Sequence, residues 1–103
     1  MITNINSKDN EKLKYTRALL KSKNRNKESK FIIEGYRIVM LALECMANLD
    51  YVFINEEFEN KKEHVKLLED LDKKNTKIYK TTNKNFKELV DTENTQGIIG
   101  VRS

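Results

Sequence analysis

The side chains most suited to chemistry in this sequence are cations crowded near its start. Eight of them fall within nineteen positions, at Lys12, Lys14, Arg17, Lys21, Lys23, Arg25, Lys27 and Lys30. Ammonium and guanidinium groups bind phosphate, and a guanidinium can also stack on a nucleobase. Because Lys14, Arg17 and Lys21 recur three and four positions apart, we predict that they share one helical face. The pattern indicates a polyanion-binding surface, and a solvated lysine-rich surface is the alternative.

The positive charge is confined to the first third of the chain. Residues 1–30 carry nine Lys/Arg and three Asp/Glu, a net +6, whereas residues 31–103 carry eleven and thirteen, a net −2. The whole chain is +4 with a pI of about 9.1. Segregated charge of this kind is typical of an end that binds nucleic acid. Lysine and asparagine are abundant overall, so compositional bias is a second explanation.

Other reactive side chains give weaker signals. The lone cysteine, Cys45, lies in the most apolar stretch and is predicted to be a small core residue, not a nucleophile. The lone histidine, His64, begins a charged helix and is predicted to be exposed or half-buried. Acidic residues between positions 56 and 63 lack the calcium-loop pattern, and no glycine-rich phosphate loop is present. These observations predict neither a metal site nor a self-contained enzyme.

Alternating helices and strands must position these side chains. The predicted helices are residues 10–22, capped by Asp9 or Asn10; 36–47, buried all round and ended by Asn48; 60–73, with Val65, Leu68 and Leu71 inward; and 83–90, capped by Asn83. The predicted strands are residues 31–33, 50–55, 77–80 and 97–101, with polar loops at 23–30 and 56–59. This order predicts an α/β fold with a sheet of about four strands, covered on both faces.

The aromatic side chains are assigned to the core. Phe31, Tyr51, Phe53 and Tyr79 lie in predicted strands, and no pair of them has the flanking signature of an RNA-stacking sheet. This favours recognition of folded RNA by shape and phosphate contacts over stacking of single strands.

Length and hydropathy limit the class of protein. The chain has 103 residues, enough for one domain with a modest core. Its longest apolar run, residues 38–43, is too short to span a bilayer, and its first residues lack the apolar core of a secretion signal. We therefore expect no membrane partner and a cytoplasmic location. The abrupt end after the last predicted strand suggests a fragment cut at a domain boundary.

Four segments in order resemble SpoU-family RNA 2′-O-ribose methyltransferases, the TrmH-like enzymes of the SPOUT class. They are INSKDNEKLK at residues 5–14, Leu20 with KNR at residues 23–25, FIIEGYRIV at residues 31–39, and DTENTQGI at residues 91–98. No single segment is specific, but together they cover nearly the whole chain. Thr95 stands where the family has proline, which predicts a less rigid final turn.

The resemblance implies that residues 1–103 form a single N-terminal substrate-binding domain. Its implied fold is a three-layer α/β/α sandwich with a mixed sheet, like that of the L30e and L7Ae proteins. A separate knotted domain after residue 103 is expected to bind S-adenosylmethionine, carry the catalytic residues and form a homodimer. No cofactor and no catalytic residue is expected in this chain, which alone should be inactive. Structured RNA is the implied partner, with rRNA favoured over tRNA.

The residues that match the family pattern and the basic segment are the candidate site. The RNA-binding candidates are Asn10, Lys14, Arg17, Lys21, Lys23, Arg25, Lys27 and Arg37. Glu34, Gly35 and Gly97 are expected to be structural, because Gly35 permits a strand-to-helix turn and Glu34 orients Arg25 or caps the next helix. For Arg25, an RNA contact and an ion pair with Glu34 both remain open.

Three other functions remain as alternatives. The first is a stand-alone L7Ae-like RNA-binding protein without methyltransferase activity. The second is a protein-interaction scaffold whose basic helix is incidental. An enzyme acting through Cys45 is the most distant.

Overall fold

One mixed sheet of five strands, flanked by helices, organises the molecule. The computed structural model describes residues 1–45 and 48–103. The strands in this part of the chain are β1 (Ile2–Asn4), β2 (Phe31–Glu34), β3 (Leu49–Ile54), β4 (Lys77–Lys80) and β5 (Ile98–Arg102). The helices are α1 (Glu11–Ala18), α2 (Ser22–Glu28), α3 (Tyr36–Glu44), α4 (Lys62–Lys73) and α5 (Asn83–Lys87), with a 3-10 turn at Phe58–Asn60.

The strands are ordered β1-β4-β3-β5-β2 across the sheet. β1, β4 and β3 run parallel, and β5 pairs antiparallel with both β3 and β2. The predicted mixed α/β sheet is confirmed, but it has five strands and not four. The additional strand, β1, is three residues long with two exposed positions, so it has no hydrophobic pattern by which it could be predicted.

Helices cover the sheet on both faces, which confirms the three-layer architecture. Along β3, Tyr51 and Phe53 point to one apolar cluster, and Val52 and Ile54 point to the other, as the two-residue period of a strand requires. The first cluster includes side chains of α1 and α5, and the second includes side chains of α3 and α4. We call these the α1 face and the α3 face of the sheet.

The basic segment folds differently from the prediction. Asn10 caps α1 as one of the two predicted capping residues, since its Oδ1 accepts from the N–H of Lys12 at 2.8 Å and of Leu13 at 3.3 Å. The helix ends at Ala18, however, and the predicted loop at residues 23–30 contains a second helix, α2. α2 buries no residue, so it lacks the apolar periodicity on which a helix is recognised.

Two elements predicted to be buried are partly exposed. β2 lies at the edge of the sheet, and Phe31 at its start is 58% exposed. On α3, Ile38 and Leu41 are 51% and 57% exposed, so this helix buries only one side. The reason is that α3 packs against one sheet face with solvent behind it, although its sequence is apolar nearly all round.

α3 also ends earlier than predicted. Its last residue is Glu44, and Cys45 caps it and is exposed, so the predicted burial of Cys45 is wrong. Asn48 is not the end of the helix; residues 46 and 47 of the predicted helix lie outside the described residues.

The predicted inward face of α4 is correct at Leu71 and in part at Leu68, which packs partly buried against the same cluster, but it is wrong at Val65. His64, Leu67 and Leu71 are buried, whereas Val65 is 45% exposed. The His64 ring stacks on the Phe58 ring at 3.7 Å, and its Nδ1 lies 2.7 Å from the Phe58 carbonyl oxygen. This histidine is a packed core residue, so the prediction of an exposed or half-buried side chain is wrong.

The last helix, α5, is shorter than predicted and has a different capping residue. α5 is capped by Thr82, whose Oγ1 accepts from the N–H of Asn85, and not by Asn83; it ends at Lys87, before residue 90. No helix among the described residues is long and apolar enough to cross a membrane.

Candidate nucleic-acid interface

The break between α1 and α2 divides the predicted basic face. Lys14 is exposed on α1, but Lys21 lies beyond its end and precedes α2, so Lys21 does not share the face of Lys14 and Arg17. Arg17 is directed into the protein: its Nη2 donates to the Lys8 carbonyl at 2.8 Å, and its Nε lies 3.6 Å from Glu88 Oε1. Only part of the predicted face is therefore available as free cations.

The lysines of α2 are the most accessible cations of the segment. Lys23 and Lys27 are both exposed, and their four-residue spacing places them on one side of the helix. Across residues 1–45 and 48–103, neither they nor Lys14 and Lys21 lie within 4.0 Å of a carboxylate. We call these four exposed lysines, Lys14 on α1, Lys21 between the helices, and Lys23 and Lys27 on α2, the basic surface; they do not form a single helical face.

Arg25 has a structural role that the sequence did not predict: it binds backbone carbonyls just after α1. Its Nη1 donates to the carbonyl oxygens of Leu19 and Leu20, each at 2.8 Å, and Asn24 Nδ2 donates to Ala18 at 2.8 Å. Carbonyls at the end of a helix lack partners within the helix and attract cations. Side chains of α2 thus cap the C-terminal end of α1.

The predicted ion pair between Arg25 and Glu34 is not found in the described part of the chain. Glu34 Oε2 instead accepts from Thr92 Oγ1 at 2.8 Å. An RNA contact by Arg25 stays a prediction, as does one by Asn10, whose carboxamide oxygen is occupied by the helix cap.

Arg37 lies apart from the other candidates. It is exposed in the first turn of α3, on the α3 face, whereas α1 lies on the α1 face. It lines an open cavity of about 410 Å³ with Gly35, Thr92 and Gln96 among its walls. The structure does not bring Arg37 together with the basic surface.

Two of the segments that carry the resemblance meet at the start of α3. The N–H of Gly35 donates to the Ile98 carbonyl at 3.0 Å, and the N–H of Tyr36 donates to Gln96 Oε1 at 2.7 Å. Gly35 has a φ of 112°, and a Cβ there would lie 3.2 Å from Gln96 Oε1. Its lack of a side chain allows both the turn and the close approach of Gln96.

Gly97 is held in the same junction. Its φ is 83°, and a Cβ would lie 2.7 Å from Asn55 Oδ1, so a larger residue does not fit without displacing Asn55. The Thr95 hydroxyl accepts from the N–H of Gly97 at 3.1 Å. A hydroxyl-closed turn thus stands where the family has proline.

A second group of cations lines a cavity with aromatic rings on the α1 face; the sequence identified Lys12 and Lys30 as cations but did not place them with Lys77 and the tyrosines. A cavity of about 360 Å³ is lined by Lys12, Tyr15, Lys30, Asp50, Tyr51, Lys77 and Tyr79. These residues come from α1, the connection between α2 and β2, and the strands β3 and β4, and no local sequence pattern connects them. The signal that could have found part of this group was the two-residue spacing of Lys77 and Tyr79 in a predicted strand, which places both on one face of the sheet.

Burial and hydrogen bonding shape the titration of this cavity. Burial raises the pKa of Tyr51 to about 12, against the opposing hydrogen bond with the Thr16 hydroxyl at 2.6 Å. The hydrogen bond from Lys30 Nζ to Asp50 Oδ2, at 2.6 Å, raises the pKa of Lys30. Burial, followed by the hydrogen bond to Glu28, raises the pKa of Tyr15. All three groups keep their protons at neutral pH.

Comparisons with solved structures show that the fold of this chain is similar to part of several methyltransferases. In solved structures, the fold matches an rRNA methyltransferase from Sinorhizobium meliloti with a TM-score of 0.80, 18% identity, and coverage of 99% of this chain and 37% of that one. An AdoMet-bound rRNA methyltransferase from Sinorhizobium meliloti matches with a TM-score of 0.78 at 19% identity, covering 99% of this chain and 36% of that one. An RNA 2′-O ribose methyltransferase matches with a TM-score of 0.75 at 23% identity, covering 98% and 36%.

This chain therefore spans little more than a third of the solved chains that it resembles. No curated protein sequence gives a significant match. The family model of the MRM3-like substrate binding domain matches residues 10–100, which is most of the chain and includes α1 through most of β5. The chain belongs to the MRM3-like substrate-binding domain family.

Proposed function

We propose that this chain docks structured RNA for a 2′-O-ribose methyltransferase whose catalytic domain lies elsewhere in the full protein. The observation that carries the proposal is the family match over residues 10–100. The exposed, unpaired lysines of the basic surface support it from the geometry. We favour rRNA as the substrate because the Sinorhizobium meliloti structures are rRNA methyltransferases.

The work of this domain is positioning. Held against the basic surface, the RNA presents one ribose to the catalytic domain, which removes orientational entropy from the transfer step. Affinity arises mainly from release of counterions as lysines such as Lys14, Lys23 and Lys27 neutralise phosphates. Arg17, Arg25 and Asn10 support this surface through their hydrogen bonds within the fold.

S-adenosylmethionine is proposed as the cofactor of the catalytic domain, since one of the similar structures has AdoMet bound. The two glycine turns of this chain do not offer a nucleoside cradle, because Gln96 and Asn55 already occupy the space beside Gly35 and Gly97. A single substrate-binding domain over residues 1–103, a knotted catalytic domain after it, and a homodimer formed by that domain complete the proposal.

The stand-alone L7Ae-like function has no observation in its favour. All three similar structures belong to methyltransferases, and each contains a large part that this chain does not match.

A salt titration with charge-neutralised variants tests the proposal. Replacing Lys14, Lys23 and Lys27 by Gln should weaken binding of a folded rRNA fragment about tenfold or more at ~0.1 M salt. It should also reduce the slope of log K against log salt by about 2–3, since each phosphate contact contributes about 0.9. Fluorescence anisotropy at several salt concentrations measures both quantities.

The matched control neutralises three exposed lysines near or on α4, on the other side of the sheet: Lys62, Lys73 and Lys74. It removes the same charge and should leave the slope unchanged. Equal losses in the two triple variants would contradict a localised RNA surface and leave only a general attraction of a basic protein for RNA.

A further inference from the structure

On the α1 face, the side of the sheet towards β1 is less buried than its middle. α1 and α5 pack over β3 and β5, where Phe53, Ile99 and Val101 are fully buried. Towards the β1 edge, Phe53 is followed in register by Tyr79 on β4 and then by Thr3 on β1. Tyr79 is half-buried and Thr3 is exposed. The sheet therefore presents a partly accessible aromatic ring in a cavity that Lys12 and Tyr15 of α1 also line.

The Tyr79 ring packs against two rings of the neighbouring strand β3 on the same face of the sheet. Its centroid lies 5.3 Å from that of Phe53 and 5.7 Å from that of Tyr51, and both of those rings are buried. Tyr15 enters the same cavity from α1, half-buried, and its hydroxyl donates to Glu28 Oε1 at 3.1 Å. Tyr15 and Tyr79 thus form walls of the cavity, and their contacts already restrict both side chains. Little side-chain entropy is therefore lost when a ligand binds against these rings.

The cations of the cavity complement these rings. Lys12 Nζ lies 4.6 Å from the centroid of the buried Tyr51 ring, and Lys77 is exposed at the start of β4. Lys30 is neutralised by Asp50 at 2.6 Å. Lys12 and Lys77 have no carboxylate within 4.0 Å among the described residues, so the lining carries two uncompensated positive charges.

We propose that this cavity binds one unpaired nucleotide of the RNA, its base stacked on Tyr79 and its phosphate between Lys12 and Lys77. The inference rests on the proposed function, since it assumes that the ligand is RNA. Aromatic faces bind any base, and lysines bind the adjoining backbone. A volume of about 360 Å³ lies within the range of small-ligand sites. The sequence predicted no such stacking, because Tyr79 was assigned to the core.

The test compares one RNA sequence as a single strand and as a perfect duplex. A duplex hides its base faces, so this chain should bind the single strand more tightly through this cavity. Tyr79→Leu should weaken single-strand binding about 5- to 100-fold with little change in salt slope, because stacking and not charge is lost. Tyr79→Phe, which keeps the ring, should retain the affinity.

A second variant does not depend on core packing. Lys12→Gln with Lys77→Gln changes only partly or fully exposed lysines and should lower the single-strand salt slope by about 1.4, since each contact contributes about 0.7. Lys62→Gln with Lys74→Gln is the matched control and should leave it unchanged. Circular dichroism confirms that each variant is folded.

The outcomes separate this site from the proposed function. If folded rRNA binding still depends on Lys14, Lys23 and Lys27 but single strands bind no better than duplexes, the nucleotide site is overturned and the proposed function stands. Unchanged single-strand binding by both the Tyr79→Leu and the double lysine variant also overturns the site. Displacement of a single strand from the wild-type cavity by an acidic peptide as readily as by RNA would assign it to a protein partner. Absence of any RNA binding at about 50 mM salt would overturn both proposals.

Discussion

At the scale of single residues, the arginines and lysines of the basic segment have different tasks. Arg17 and Arg25 donate to backbone carbonyls, while Lys14, Lys23 and Lys27 are exposed. A guanidinium offers several donors in a fixed plane and can bridge two carbonyl oxygens, whereas an ammonium on a flexible stem stays hydrated. The sequence could identify the cations. It could not show which of them donate to backbone carbonyls within the fold, because those carbonyls belong to other segments of the chain.

Tyr51 provides a test at this scale through the pH dependence of stability. Its pKa is about 12 in the folded protein, because of burial, against an ordinary value of 10.0. Because the folded-state pKa is raised, the contribution of Tyr51 to the free energy of unfolding is fully present below about pH 10. It is lost as the pH rises from about 10 to about 12, where Tyr51 ionises in the unfolded chain before it does so in the folded one. Two units correspond to up to about 3 kcal/mol.

Urea unfolding of the wild type and of Tyr51→Phe between pH 8 and 12 measures this term. Tyr51→Phe should cost about 1 kcal/mol at pH 8, since the Thr16 hydroxyl still donates to the Lys12 carbonyl at 2.8 Å. The difference between the two proteins should shrink and then reverse as the pH rises. Because Tyr15 and Lys30 titrate in both proteins, their contributions cancel. A constant difference across this range would show that Tyr51 does not titrate as proposed.

At the scale of elements, α1 and α2 form one capped unit. α2 has no buried residue, so hydrophobic packing does not stabilise it. Its Asn24 and Arg25 side chains instead bind the carbonyls of Ala18, Leu19 and Leu20 at the end of α1. This explains why helical periodicity did not predict α2. The contacts that stabilise α2 are polar and are made with carbonyls at the end of α1, so α2 needs no apolar side.

Arg25→Ala should therefore lower stability, whatever its effect on RNA. Loss of two charge-assisted hydrogen bonds at a half-exposed site should reduce the free energy of unfolding by about 1–2 kcal/mol. Lys27→Ala, on the exposed side of the same helix, is the control and should change it by less than about 0.5 kcal/mol. Urea denaturation monitored by circular dichroism measures both. Equal stability of the two variants would mean that the cap contributes nothing.

At the scale of the whole molecule, the two halves of the chain are joined where β2 passes into α3. Gln96 binds the first N–H of α3, Thr92 binds Glu34, and the Asn55 N–H donates to the Gly97 carbonyl at 3.0 Å. These contacts bring the segment before β5 against the junction of β2 and α3 and against the end of β3. Two of the four segments that carry the family resemblance, residues 31–39 and 91–98, thus meet in one three-dimensional junction.

Gly97→Ala tests this junction. A φ of 83° is unfavourable for alanine, and the new Cβ would lie 2.7 Å from Asn55 Oδ1. We expect a loss of about 2–4 kcal/mol, from backbone strain and displacement of Asn55. Thermal unfolding should show a decrease in Tm of about 4–8 °C for each kcal/mol.

Gly100→Ala is the matched control within β5. Its Cβ would meet only side-chain carbons, Leu49 Cδ2 at 3.1 Å and Ile33 Cγ1 at 3.2 Å, and its φ is not positive. It should cost clearly less than Gly97→Ala. The reverse order would mean that packing at the sheet, and not the turn, limits stability.

The sequence by itself determined the order and type of most elements, the α/β class, the charge of the first third and the family. These follow from local periodicity, turn residues and short segments, which the chain carries without reference to its neighbours in space. Only the tertiary structure decided that β1 completes the sheet, that Phe31 and Ile38 are exposed, and that Arg25 caps α1. It alone also placed Tyr79 beside Lys12. Burial and pairing depend on which distant elements cover a side chain, and the periodicity of one segment contains no information about its neighbours.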